Sequence, residues 1–190
     1  MTLEIRLKKA QFYIAIAILL LSIGSPACAP SIISGRISTA TYQSYPTNAT
    51  FFVVPSDKLT LTEKNLQNLI AMEMEKLGFK RSTESNKADL AVIYSYSIGA
   101  GSTSVSSSPD FVWGGQKVGS STEYPRYFSV GIIDRAKTIN LKEPVFIWQG
   151  EIYSSGSSSN IAWLAESFVP ELFKWYGKND TNKVFITPRL

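Results

Sequence analysis

The sequence predicts a two-layer α/β domain of the α+β kind, in which a mixed sheet of four to five strands carries two helices on one face. Two segments space their apolar residues at helical intervals, and at least four others carry the β-branched and aromatic runs or the alternation typical of strands. Their order along the chain is β-α-β-β-β-α-β. A strand, helix, strand unit requires a crossover connection. The length of 190 residues, 44% of them apolar, favours a single domain with one core.

The first strand and the first helix follow one another closely. Thr50 to Pro55 is a β-branched and aromatic run that ends at the proline. The four residues Thr60 to Glu63 match a capping box, the signature of a helix start. The apolar residues Leu66, Leu69, Ile70, Met74 and Leu77 then recur at helical spacing. Gly78 offers a C-terminal cap, so we expect a helix between Thr60 and Gly78.

Three strands are predicted in the middle of the chain. In the segment 87–99, KADLAVIYSYSIG, bulky residues alternate with smaller ones from Leu90 onward. The segments 127–134, YFSVGIID, and 144–155, PVFIWQGEIYSS, show a similar alternation. The residues between them, DRAKTINLKE, are predicted to form a turn, and antiparallel pairing of the two strands is expected.

The last two elements are a helix and a strand. From Asn160 to Tyr176 the apolar residues form one helical stripe, with Pro170 on the opposite side. A proline on the solvent side is expected to kink this helix rather than break it. The stripe consists of Ile161, Ala165, Phe168, Leu172 and Trp175. After the turn GKNDTN, the segment KVFITP predicts the final strand.

Gly99 to Thr122 is rich in serine and glycine and is predicted to be a long loop. It contains Phe111 and Trp113, two large aromatic residues in otherwise polar surroundings. Two interpretations remain open. Either these side chains pack back onto the domain, or they contact a partner, as aromatic residues often do at interfaces.

The N-terminus has the layout of a secretory signal peptide, predicted to comprise residues 1–27. Arg6, Lys8 and Lys9 precede an apolar run of about a dozen residues, too short to cross a bilayer, and then a segment of small residues. These basic residues, less Glu4, supply +2 of the net charge of +4. The remaining chain has no concentrated basic face, which argues against a nucleic-acid partner.

Cys28 is the only cysteine, and it follows Ala27 where a bacterial lipobox would end. We expect a lipid on its sulfur and cleavage just before it, which would anchor the chain to a membrane. The alternative is cleavage by the ordinary signal peptidase after Ser25-Pro26-Ala27, which would leave a free thiol. Residues 28–49 are accordingly interpreted as a lipidated cysteine with a flexible tether, and residues 50–190 as a single domain.

The element order and several short motifs resemble bacterial envelope lipoproteins that carry the domain of unknown function 4136. The motifs are KADLAV with Asp89, the W-x-G of Trp148 to Gly150, and the C-terminal segment FVPELFKWYGKNDTNKVFI. The likeness extends from about Tyr45 to Ile186. Where relatives often have Phe-Pro-Gly after the last helix, this chain has Trp175-Tyr176-Gly177. The resemblance implies a two-layer α/β domain on a lipid anchor and implies no known activity.

The residues predict no catalytic site, no metal site and no cofactor. The chain has no histidine and no second cysteine, which removes the usual general base and most zinc ligands. Asp89 and Glu151 lie on predicted strands and would be the remaining acid/base candidates, although structural carboxylates are far commoner.

We therefore expect a non-catalytic envelope lipoprotein that binds or scaffolds other components, in contact with a membrane through its anchor and with an envelope protein. Its expected location is the outer membrane, facing the periplasm. The alternative is a periplasmic binding module for a small apolar or glycan ligand, which would require a sizeable pocket with convergent polar groups.

Overall fold

The computed structural model describes residues 32–56, 60–109 and 116–188. These residues form a mixed eight-stranded sheet and three α-helices, so the predicted α+β class is confirmed. The prediction of four to five strands and two helices was too low. The additional elements come from segments whose composition does not show the usual apolar alternation.

The strands are β1 (Ile32–Thr41), β2 (Thr50–Val53), β3 (Lys80–Arg81), β4 (Leu90–Ile98), β5 (Ser102–Pro109), β6 (Gln116–Asp134), β7 (Phe146–Gly156) and β8 (Asp180–Pro188). Seven of them lie side by side in the order β3-β2-β4-β6-β7-β1-β8, and β5 pairs with β6 alone. The β3–β2 and β2–β4 pairs are parallel and the others are antiparallel. The antiparallel pairing expected for β6 and β7 is thus confirmed.

The helices are α1 (Leu61–Lys76), α2 (Arg135–Leu141) and α3 (Ile161–Phe173). Helix α1 is the crossover between the parallel strands β2 and β4, as the strand, helix, strand order predicted. Helix α3 continues through Pro170 to Phe173, as expected. The segment predicted as a turn between β6 and β7 contains α2, which Asp134 caps: its side-chain oxygen accepts a 3.0 Å hydrogen bond from the N–H of Lys137.

The hydrophobic core lies between one face of the sheet and helices α1 and α3. It contains Leu66 and Ile70 of α1, Phe168 and Leu172 of α3, and the inward residues of the central strands. The W-x-G motif belongs to this core. A Cβ atom on Gly150 would lie 2.6 Å from Cη2 of Trp148 and 2.8 Å from Cδ1 of Leu172. Glycine is therefore required where the indole and α3 meet the sheet.

The interpretation of residues 28–49 as a flexible tether was wrong for residues 32–41, because these form β1 inside the sheet. β1 pairs with β7 on one side and with β8 on the other. Its inward residues Ile33 and Ile37 are buried. Gly35 lies between them, and a Cβ there would be 2.7 Å from the ring of Phe185. The folded domain therefore begins no later than Ile32.

The prediction that Gly99 to Thr122 is a loop was also wrong for residues 102–109 and 116–122. Residues 102–109 form β5, which pairs with residues 116–123 of β6 in unbroken antiparallel register, from Ser102 opposite Glu123 to Pro109 opposite Gln116. Cross-strand hydroxyl pairs accompany this register, Thr103 with Thr122 at 2.9 Å and Ser104 with Ser121 at 3.0 Å between the oxygens. Backbone pairing and hydroxyl contacts replace the apolar alternation that normally indicates a strand.

Candidate functional site

Helix α1 is attached to the sheet by a buried carboxylate. Thr60 caps the helix as the capping box predicts, since its side chain accepts a 3.2 Å hydrogen bond from the N–H of Glu63. The Glu63 side chain is directed to the sheet, where the hydroxyls of Tyr94 and Tyr96 donate to its two oxygens at 2.6 and 2.8 Å. Gln67 donates to the Tyr94 hydroxyl at 3.2 Å. Both carboxylate oxygens of Glu63 and both tyrosine hydroxyls have partners, which marks the network as structural.

The face of the sheet that points away from α1 and α3 is called the open face. Its side chains alternate with the core residues along each strand and are half-buried or exposed in most positions. It comprises Ile93, Ser95, Tyr127, Ser129, Gly131, Phe146, Gln149, Glu151, Tyr153, Arg36, Ser38, Val184 and Ile186.

Two cross-strand rows organise the centre of the open face. In the first, Ser95, Ser129, Glu151 and Ser38 stand side by side on β4, β6, β7 and β1. The hydroxyl oxygens of Ser95 and Ser129 are 2.8 Å apart. This row is polar throughout and carries one carboxylate.

The second row contains Tyr127, Tyr153, Arg36 and Val184 on β6, β7, β1 and β8. The Tyr127 and Tyr153 rings contact each other, with centroids 4.9 Å apart and planes tilted by 49°. The Tyr153 hydroxyl lies 3.5 Å from Oε2 of Glu151. Burial raises the pKa of Tyr127, and the nearby Glu151 carboxylate contributes to the rise, so the Tyr127 hydroxyl remains protonated at neutral pH.

A depression of about 160 Å³ lies between these rows and the ring of Phe146. It exists because Gly131 has no side chain: a Cβ atom there would be 2.7 Å from Cε1 of Phe146 and 3.2 Å from Cγ1 of Ile93. Apolar atoms of Ile93 and Phe146 form one side, and Ser129 and Glu151 form the other. The volume is well below the roughly 300–1,000 Å³ of small-molecule pockets and suits a single inserted side chain.

The chemistry of this depression favours a cation. Within the described part of the chain, Glu151 has no salt-bridge partner. Tyrosine rings attract cations through their faces, and a carboxylate forms short, strong hydrogen bonds with ammonium and guanidinium groups. A lysine or arginine side chain could place its methylene stem against Phe146 and its charged group beside Glu151.

A second concavity, of about 450 Å³, lies between helices α1 and α3. Leu69, Met72 and Trp163 provide its apolar atoms. Its polar groups are the carboxamides of Asn65, Asn68 and Asn160 and the carboxylate of Glu166. Two of these carboxamides already have structural partners, since Asn68 accepts from Arg81 at 3.3 Å and Asn160 caps α3.

The predicted site residues are distributed as follows. Cys28, Phe111 and Trp113 lie outside the described residues. Asp89 and Glu151 are not brought together. Glu151 lies in the cross-strand row of Ser95, and Ser95 is six residues further along the chain than Asp89, a distance of about 20 Å along the strand. Sequence reasoning missed the open-face cluster, because its members come from separate strands that only the register brings together.

Asp89 has a structural role in the KADLAV motif. Its carboxylate accepts hydrogen bonds from the N–H and the hydroxyl of Thr50, both at 2.8 Å. The Asp89 N–H donates in return to the Thr50 carbonyl at 3.0 Å. The backbone hydrogen bond from Thr50, followed by the one from its hydroxyl, lowers the pKa of Asp89. The aspartate therefore fixes the beginning of β4 to the beginning of β2.

Two features are absent from the residues that the structure describes. None of their helices combines the length and apolar character that crossing a membrane requires. No group of three or more acidic or cysteine side chains in ranges 32–56, 60–109 and 116–188 is arranged to hold a metal ion.

The family model described as domain of unknown function DUF4136 matches residues 38–176 of the chain. None of the curated proteins matches it in sequence. Among solved structures, a PDZ domain protein from Parabacteroides distasonis aligns with a TM-score of 0.55 and 16% identity, over 82% of this chain. The chain spans only 38% of that protein, and the likeness is one of fold alone.

Two further solved structures align less closely. A DUF4136 family protein from Bacteroides thetaiotaomicron has a TM-score of 0.40 and 13% identity, over 74% of this chain and 92% of its own. A dodecamer of a PelC variant from Paraburkholderia phytofirmans has a TM-score of 0.41 and 12% identity, over 73% and 93% of the two chains.

Proposed function

The chain belongs to the DUF4136 family, and we propose that it is a non-catalytic, lipid-anchored envelope protein that binds a protein partner on the open face of its sheet. The single observation that supports this most directly is the open face itself. Its second row carries two contacting tyrosines, with Tyr153 53% exposed, and Val184 at the end of the row is 64% exposed.

Exposed aromatic side chains beside an unpaired charge are characteristic of protein interfaces. Tyrosine and arginine dominate the residues that contribute most to binding, and they act from well-packed, desolvated pockets. The open face offers tyrosines and a small depression whose described lining includes no basic residue; Arg36 lies opposite Tyr153 on β1, outside that lining. The matching partner therefore presents a lysine or arginine side chain that enters the depression and pairs with Glu151.

The absence of catalysis is proposed on the residues available. The chain has no histidine, and its two candidate carboxylates are held apart on the sheet. Asp89 is occupied by Thr50, and the buried Glu63 is occupied by two tyrosines. Acid/base catalysis would require a pair of groups with contrasting pKa values beside one substrate position.

The anchor is proposed on the sequence around Cys28 and on the start of the domain. β1 begins at Ile32, so only Ala29, Pro30 and Ser31 separate the cysteine from the sheet. A lipid on Cys28 would hold the domain directly at the membrane rather than on a long tether. Labelling with a radioactive fatty acid should mark the wild type and not the Cys28→Ser variant, and equal labelling would contradict the anchor.

The experiment for the open face is a charge reversal in cells. Glu151→Lys should abolish capture of the partner by chemical crosslinking, because two cations would then face each other in the depression. The matched control is Glu75→Lys, a charge reversal at an exposed position of α1. Loss of capture by the control as well, or no loss in either variant, would contradict the proposed site.

The concavity between α1 and α3 supports a second candidate function, the binding of a glycan. Its volume falls within the range of small-ligand pockets, and a tryptophan with carboxamides suits the apolar faces and hydroxyls of a sugar ring. Chitobiose, a disaccharide of N-acetylglucosamine, is a suitable probe in an NMR titration. Shifts centred on Trp163 and Asn65 would support this function, and shifts elsewhere or none would exclude it for this sugar.

A further inference from the structure

β5 and residues 116–123 of β6 form a two-stranded extension of the sheet, here called the ribbon. Within the described residues, each strand of the ribbon pairs only with the other. A two-stranded hairpin alone is marginally stable in water, so a ribbon of eight residue pairs benefits from a surface on which to rest.

The register shows from which end of the sheet the ribbon extends. Gly35 of β1, Ser154 of β7, Arg126 of β6 and Ile98 of β4 stand in one cross-strand row. From this row, β1 runs back to its first residue, Ile32, in the same direction in which β6 runs back into the ribbon. The start of β1 and the ribbon are therefore at the same end of the sheet.

The ribbon extends further from this end than the anchor can reach. Ile32 is three residues beyond the row and Gln116 is ten residues beyond it, a difference of seven residues or about 23 Å. Cys28 precedes Ile32 by four residues, which span at most about 14 Å even when fully extended. A membrane that holds the lipid of Cys28 thus lies closer to the sheet than the end of the ribbon does.

The two faces of the ribbon differ in chemistry. On one face, Val105 and Val118 are diagonal neighbours, 70% and 65% exposed, and they share this face with Thr103, Thr122, Ser107 and Ser120. The opposite face carries Ser102, Ser104, Ser106, Ser108 and Ser121. On the valine face, the Thr103 and Thr122 hydroxyls already pair across the strands, which lowers the cost of removing them from water.

We propose that the valine face of the ribbon rests on the lipid surface in which the chain is anchored. The ribbon lies at the level of the headgroups, because the unpaired outer edges of a two-stranded ribbon cannot be satisfied in the hydrocarbon core. The apolar side chains contact lipid and the serine face remains in water. This inference rests on the proposed lipid anchor at Cys28.

The experiment uses the full-length protein, purified from the membrane and reconstituted into vesicles of phosphatidylethanolamine and phosphatidylglycerol that contain a nitroxide-labelled lipid. When Cys28 carries a lipid, its sulfur cannot react, so a cysteine introduced in place of Val118 is the sole reactive thiol. An environment-sensitive fluorophore is attached to this cysteine. The matched controls are a label at Ser121 on the serine face and one at Glu75 on α1. Mass spectrometry of the same sample reports whether Cys28 carries lipid.

The proposal predicts that the label in the Val118→Cys variant is strongly quenched by the nitroxide lipid, whereas the labels at positions 121 and 75 are not. A second label at position 105 should behave like the one at 118.

A lipidated protein whose label at 118 stays in water would overturn the ribbon inference alone. A label shielded from water but not quenched would mean contact with another copy of the chain, and equal quenching at 118 and 121 would mean that no face is selected. Both results would overturn the proposal. Absence of lipid on Cys28 would overturn the anchor and the inference together.

Discussion

The hydroxyl of Tyr94 donates a 2.6 Å hydrogen bond to Oε2 of Glu63, between the first turn of α1 and the middle of β4. Glu63, the last residue of the capping box, therefore fixes the position of the helix on the sheet. Tyr96 occupies the other carboxylate oxygen at 2.8 Å. Since Glu63 is only 5% exposed, these two hydroxyls replace the water that a carboxylate otherwise requires.

Glu63→Gln should destabilise the fold. The amide keeps the shape but offers one acceptor oxygen to two tyrosine donors, so one hydroxyl loses its acceptor and the hydrogen bond of the other is no longer charge-assisted. We expect a loss of about 1–3 kcal/mol in the free energy of unfolding, measured by urea denaturation. Lys64→Gln at the adjacent exposed position is the control and should change stability by less than about 0.5 kcal/mol. Equal stabilities of the two variants would show that the network contributes little.

The stability of the protein should fall at alkaline pH, and Tyr94 should account for part of the fall. Burial, followed by the hydrogen bond to Glu63, raises the pKa of Tyr94 to about 12. A folded-state pKa above the unfolded value means that this contribution is complete below about pH 10 and is lost as the pH rises toward 12. Denaturation at several pH values should show a smaller alkaline loss for Tyr94→Phe than for the wild type.

The control for this titration is Tyr42→Phe, at an exposed tyrosine outside the network. It should retain the full alkaline loss of the wild type. Burial also raises the pKa of Tyr96, so the Tyr94→Phe variant should keep part of the dependence. An alkaline loss unchanged by Tyr94→Phe would place its origin elsewhere.

Gly150→Ala should destabilise the core, because the new methyl group would collide with the Trp148 ring and with Leu172 of α3. Overpacking of this kind costs about 1–3 kcal/mol. Gly119→Ala is the matched control, since a Cβ there meets only the Ser106 hydroxyl at 3.5 Å. Thermal unfolding of both variants measures the difference, and a Gly150→Ala protein as stable as the control would refute the packing explanation of the W-x-G motif.

The regular elements of the fold could be predicted where the pattern of apolar residues is local and strong. Helix α1 combines a capping residue, Thr60, with an apolar stripe, and β4 alternates cleanly from Leu90. β1 could not be recognised, because Gly35 occupies an inward position whose packing depends on Phe185, 150 residues away. β5 escaped recognition because its order derives from pairing with β6 rather than from burial.

The candidate site depends on relationships that the sequence does not display. Ser129 and Glu151 lie on different strands, and a shift of one residue in the β6–β7 register would turn them to opposite faces. Glu63 and Tyr94 were both visible as patterned residues, but their contact requires the crossover of α1. The Gly131 depression likewise depends on the ring of Phe146, which a local pattern cannot place.

The central claim is that the open face binds a protein partner. The most direct measurement places a photo-crosslinking amino acid at Tyr153 in living cells, with Glu75 on α1 as the control position. We expect an adduct at position 153 and none at 75. The crosslinked partner peptide should lie next to a lysine or arginine. Glu151→Gln, which removes the charge that binds this residue, should reduce the yield of the adduct. Adducts of equal yield at both positions, or a crosslink at 153 that Glu151→Gln leaves unchanged, would contradict the central claim.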